Sequence, residues 1–257
     1  MRRPRAFLGA AVLPVTGAAV VLAEWQLLKR GPHLPVDLPP FELDGRVGGP
    51  GPALRTVWLG DSGVAGAGAS TEDACIPRRV AALLDRPVDV HVLAESYKQA
   101  SHVAEEQIPR VAALEPDVVV VGVGANDVLW RTPRAQFRAS FDRIAAGIPR
   151  GALFVNLGAL DPSTSPKYLE PLGSLMDWHR RRLDAEARAA TEAVGGVVVD
   201  IAARVGPAFR RDPDRMFCMD SLHASDAGYE LLSHAVADVL RPLVAARDAK
   251  EATVGDR

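Results

Sequence analysis

Val118-Val119-Val120-Val121 is apolar at every position. A continuous run of β-branched residues has no face to offer water, so it suits a strand of a parallel sheet that is covered on both sides. Shorter apolar runs at 56–59, 88–93, 153–157 and 197–201 also have strand character. Between them lie segments of helical periodicity at 76–84, 101–114, 133–146, 174–194 and 226–240. Strand alternating with helix predicts an α/β fold, a three-layer α/β/α sandwich around a flavodoxin-like parallel sheet of about five strands. In such sheets ligands bind beyond the carboxyl ends of the strands, where the strand order reverses.

The chain has 257 residues, 48% of them hydrophobic, which is enough for one sizeable core. Its formal net charge of -2 gives no electrostatic footprint for nucleic acid. Residues 1–30 form a first region: Arg2, Arg3 and Arg5 precede an uncharged, mostly apolar stretch at 6–23. That stretch exceeds the roughly 7–15 residues of a signal-peptide core and reaches the lower edge of a membrane span of about 17–25. It is expected to anchor the protein in a membrane with the remainder outside the cytoplasm; secretion after cleavage near Val21-Leu22-Ala23 is the alternative. Residues 31–53, rich in proline and glycine, suit a semi-rigid linker, 54–244 the folded domain, and 245–257 a polar tail.

Three loops expected at one sheet edge carry polar residues. Ser62 follows the first strand, residues 95–99 follow the second and Asn126 follows the third, while His223 lies on a loop entering the final helix. A serine hydroxyl is a poor nucleophile at neutral pH and needs a base, which in turn needs a partner to fix its tautomer. His223 and Asp220 share one short loop and suit these two roles. Attack on an ester creates an oxyanion, and one lost donor to it costs about 3–4 kcal/mol. Asn126 supplies a side-chain amide and Ser62 a backbone N–H. For His33, His91, His102, His179 and His234 no catalytic role is expected.

These segments resemble the SGNH (GDSL-type) hydrolase superfamily, in its bacterial lysophospholipase-like or lipase/esterase branch. Val57-Trp58-Leu59-Gly60-Asp61-Ser62 is similar to the family's first block, Gly122-Val123-Gly124-Ala125-Asn126-Asp127 to its third, and Asp220-Ser221-Leu222-His223 with the residues to Tyr229 to its fifth. The run from Gly206 to Pro213 is a softer match to bacterial members. The resemblance spans about 55–240 and implies a serine esterase with Ser62, Asp220 and His223 as catalytic residues, no metal and no cofactor. Its substrate would be an ester of a lipid or an acylated glycan. In the second block Tyr97 aligns where the family usually places a glycine whose N–H is a third oxyanion donor beside Ser62 and Asn126.

Three other readings compete with this one. Gly66-Ala67-Gly68 with Glu95 suggests a dinucleotide fingerprint, but Thr71 stands where its third glycine belongs. A non-catalytic or weakly active ligand-binding relative is favoured by Tyr97, and acyl transfer to another acceptor would use the same residues. Cys75 and Cys218 fall on the two loops that must meet, so a disulfide between them is weighed against two free thiols. His179-Arg180-Arg181-Arg182 suits a solvated helix face.

Overall fold

The computed structural model describes residues 41–255, together with Gln26 and Leu34. The apolar stretch at 6–23 and the linker residues 31–33 and 35–40 lie outside the described residues. In chain order the sheet strands are β1 (Gly45–Val47), β2 (Leu54–Gly60), β3 (Val88–Val92), β4 (Val118–Gly122), β5 (Leu153–Leu157) and β6 (Val197–Val199). They form one six-stranded sheet in the order β1-β3-β2-β4-β5-β6. The five strands from β2 to β6 are parallel and have the flavodoxin-like order, with the reversal between β2 and β4.

The helices are α1 (Ile76–Leu83), α2 (Ala100–His102, continued by Val103–Gln107 and Ile108–Val111), α3 (Ala125–Leu129), α4 (Arg134–Ala146), α5 (Leu172–Ala193), α6 (Ile201–Arg211), α7 (Pro213–Met216) and α8 (Asp226–Gly255). The apolar run in β4 is explained by the layers. Val118 and Val120 pack with α1, α6 and α8, whereas Val119 and Val121 pack with α2, α4 and α5. All four are fully buried, and each contributes about 1.5–3 kcal/mol through removal of its side chain from water.

Three elements depart from the sequence expectation. The sixth strand, β1, falls inside the stretch read as a linker: it pairs antiparallel with β3, and the preceding Leu43 is buried. Its register is supported by the Asp44 carboxylate, which accepts the Val92 N–H at 2.7 Å. The strand expected at 197–201 ends at Val199, because Asp200 caps α6 by accepting the Ala203 N–H at 3.0 Å. The last helix does not end near residue 240 but runs on to Gly255, through what was expected to be a polar tail. Buried Val244 and the ion pairs Arg247–Asp117 and Asp248–Arg86, both at 2.5 Å, hold this extension on the domain. Among the described residues no helix is long and apolar enough to cross a membrane.

Candidate active site

The Ser62 turn begins at the paired ends of β2 and β4, Gly60 and Gly122. A Cβ on Gly60, whose φ is +148°, would lie 2.1 Å from the Gly122 carbonyl oxygen, so only glycine fits this strand end. Buried Gln107, from the π-helical turn of α2, bonds both polar groups of Gly60: its Oε1 accepts the Gly60 N–H at 2.8 Å and its Nε2 donates to the Gly60 carbonyl at 3.0 Å. Asp61 then shapes the turn, accepting the Gly63 N–H on Oδ1 at 3.1 Å while its carbonyl receives Val64 and Ala65. Its Oδ2 is buried without a partner among the described residues, and burial pushes its pKa up to about 6.

His223 comes to Ser62 from a loop that is itself closed on Asp220. His223 Nε2 lies 2.9 Å from Ser62 Oγ, and Nδ1 lies 2.7 Å from Asp220 Oδ2. The other carboxylate oxygen accepts the backbone N–H groups of Leu222 at 2.8 Å and His223 at 2.9 Å. Burial alone would raise the Asp220 pKa, but the His223 ring and these N–H groups outweigh it and hold the carboxyl well below the usual range. The Phe217–Ala224 bridge and the Cys218 N–H donating to the His223 carbonyl at 2.8 Å close the loop. Ser165 Oγ donates to the Ser221 carbonyl from the opposite side.

The remaining sequence candidates meet at the same edge. Asn126, in the first turn of α3, donates from Nδ2 to the Lys98 carbonyl at 2.9 Å, tying α3 to the loop that carries Tyr97. Tyr97 has φ +65°, the left-handed region that glycine enters freely, and its side chain is exposed. Neither the Ser62 nor the Tyr97 backbone N–H donates to another group among the described residues. Ser62, Tyr97, Asn126 and His223 line one cavity of about 560 Å³, with Asp220 behind the histidine. The deeper wall is apolar and includes Leu129, Leu157, Met176, Ile201, Phe217 and Leu222.

Cys75 and Cys218 are free thiols and not the weighed disulfide. Each sulfur has its own berth against the loop that follows Ser62: a Cβ on Gly66 would meet the Cys75 sulfur at 2.2 Å, and one on Gly68 the Cys218 sulfur at 3.0 Å. Cys218 Sγ donates to Asp220 Oδ1 at 3.1 Å. The supporting roles of Gln107 and of the Asp61 carboxyl escaped the sequence reading. A signal for Gln107 existed, since a glutamine interrupts the otherwise apolar face of Val103, Ala104, Ile108 and Val111.

Solved structures share this fold at low identity. The lipase/acylhydrolase from Enterococcus faecalis superposes with a TM-score of 0.58 at 21% identity, over 74% of this chain and 96% of that one. A catalytic mutant of the acetylxylan esterase Axe2 from Geobacillus stearothermophilus gives 0.56 at 17%, over 72% and 93%. The curated GDSL-like esterase Rv1075c of Mycobacterium tuberculosis is 34% identical over 137 residues, 52% of this chain. The match spans only 41% of that relative's own length. The model of the GDSL-like lipase/acylhydrolase family matches residues 58–231, a span that holds the Ser62 turn, the Asn126 helix and the Asp220–His223 loop, and by this match the chain belongs to that family.

Proposed function

We propose that the protein hydrolyses carboxylic esters through an acyl-enzyme on Ser62. The observation that carries this reading is the unbroken hydrogen-bond path from Ser62 Oγ through the His223 ring to a buried, ionised Asp220. His223 Nε2 takes the hydroxyl proton as Oγ attacks the carbonyl carbon, and Asp220 keeps Nδ1 protonated so that Nε2 is free to accept. The oxyanion is met by the Ser62 and Tyr97 backbone N–H groups and by the second amide hydrogen of Asn126. Collapse expels the alcohol, which takes the proton back from His223. Water activated by the same nitrogen then attacks the acyl-enzyme and releases the acid.

The apolar wall of the cavity favours an acyl group longer than acetyl, since each buried methylene is worth about 0.8 kcal/mol. The basic, apolar start of the chain supports a site of action outside the cytoplasm, with residues 6–23 holding the domain at a membrane. Steady-state hydrolysis of 4-nitrophenyl esters from acetyl to decanoyl tests the chemistry. Ser62→Ala and His223→Ala are each expected to lose at least about a thousandfold in kcat with the fold intact, and Asp220→Asn to lose less. Near-normal turnover by Ser62→Ala would refute the mechanism.

A further inference from the structure

Among the described residues seven large apolar side chains are exposed, and six of them belong to the segments that wall the cavity. Tyr97 and Trp130 line it directly. Leu169 follows the lining residue Tyr168, Leu175 and Trp178 flank Met176 on α5, and Met219 lies between Phe217 and Leu222. Trp130 and Trp178 are 64% and 57% exposed, one at the end of α3 and the other on α5, which pack on each other. An apolar surface of this kind that continues out of a cavity marks a contact and not the ordinary scatter of exposed side chains.

The charge of the same face identifies what it meets. Arg131 follows Trp130 directly, and Arg182 stacks its guanidinium 4.5 Å over the Trp178 ring. Both are exposed, and neither meets a carboxylate among the described residues. The helix α3 packs on α5, and the Arg131 and Arg182 charges both act on the His179 ring, so the turn after α3 and the outer face of α5 are contiguous. Burial first, and then the Arg131 and Arg182 charges, lower the His179 pKa, so this face stays cationic through the guanidinium groups. Glu170 beside Leu169 is a carboxylate on the same belt. Indoles seat at the headgroup level of a bilayer, and guanidinium groups beside them attract anionic headgroups.

We propose that the face carrying Trp130, Arg131, Trp178 and Arg182 docks on an anionic phospholipid surface, with the cavity opening onto the lipid. An ester in that surface then passes from the acyl region into the apolar wall without crossing water. The docking stands on the exposed face alone, whereas its use in feeding the cavity rests on the esterase reading above.

The full-length chain carrying Trp25→Phe and Ser62→Ala tests the docking without any turnover. Its emission then comes from buried Trp58 and from Trp130 and Trp178. On vesicles of phosphatidylcholine and phosphatidylglycerol with bromines on the upper acyl chain, roughly half of the emission is expected to be lost relative to unbrominated vesicles. Adding Trp130→Phe and Trp178→Phe should abolish that quenching. At equal amounts of vesicle-bound protein, Arg131→Gln with Arg182→Gln should reduce that quenching severalfold. Unquenched emission from protein pelleting with the vesicles, or equal quenching by pure phosphatidylcholine, would overturn the proposal. So would an emission shift with protein concentration in the absence of lipid, which would assign the face to a second copy. Because Ser62 is absent from this experiment, its failure leaves the esterase reading untouched, and that reading fails only in the kinetic comparison.

Discussion

Tyr97 is the residue at which the chain departs from its family's usual pattern, and its backbone shows how the departure is accommodated. A φ of +65° costs an L-residue about 1–2 kcal/mol, but it is the angle a glycine would supply, so the N–H keeps its bearing under a bulky side chain. The ring meanwhile lines the cavity and is 68% exposed. On the proposed mechanism, Tyr97→Gly should therefore leave kcat for a short acetyl ester within about twofold and change KM for long-chain esters by severalfold, because what it removes is wall and not an oxyanion donor. A loss of kcat toward every chain length with the fold retained would show that the phenol itself takes part. Asp61 makes a different prediction at the same scale. Its buried carboxyl has a pKa raised from 3.8 to about 6, so the folded state binds the proton more tightly than the unfolded chain does. The stability linked to this proton is fully present below about pH 4 and is lost as pH rises through about 6. Denaturant unfolding of Asp61→Asn should lack that component, and the wild-type-minus-variant difference should change by at most about 3 kcal/mol across the window. A difference that is flat with pH would remove Asp61 as its source.

At the scale of elements, the Ser62 turn is held at its start by the end of β2. Gln107 satisfies both polar groups of Gly60 from a π-helical turn, and such turns often sit at functional sites. Gln107→Leu keeps the volume but leaves the buried Gly60 N–H unpaired, while the Gly60 carbonyl keeps the Glu95 N–H at 3.2 Å, so it should destabilise the domain by about 1–3 kcal/mol. If Gln107 also positions Ser62, kcat should fall while KM holds; Gln107→Glu, which keeps the acceptor for the Gly60 N–H, should recover part of the kcat. Gly60→Ala meets the Gly122 carbonyl head-on and should yield no folded protein, or a domain weakened by at least about 3 kcal/mol in thermal unfolding. The central strand β4 was legible because its apolar run is uninterrupted, and its neighbours because shorter apolar runs recur between helical segments. β1 was not, since Gly45-Arg46-Val47 has three residues, one of them glycine, and forms only by pairing with an edge already present. The extension of α8 was hidden for a related reason: ion pairs to Asp117 and Arg86 hold its polar last turns, and those partners lie far away in sequence.

For the whole molecule, the site was more legible than the boundaries of its elements, because parallel topology brings three strand ends to one edge wherever exactly each strand stops. Ser62, Asn126 and Tyr97 line the cavity for that reason, and the separation of 161 residues between Ser62 and His223 is bridged by the loop leading into α8. What sequence could not reveal was the state of the two thiols, which depends on where each sulfur packs against the Ser62 loop and not on how close the loops come. The central claim is that Ser62 is the nucleophile of an esterase, and covalent capture tests it most directly. Purified protein treated with a 4-nitrophenyl alkylphosphonate should gain one adduct per chain by intact mass, mapping to the tryptic peptide 56–78 at Ser62, and both Ser62→Ala and His223→Ala should remain unlabelled. An unmodified wild-type chain under conditions that label a control serine esterase, or an adduct that persists in Ser62→Ala, would contradict the account.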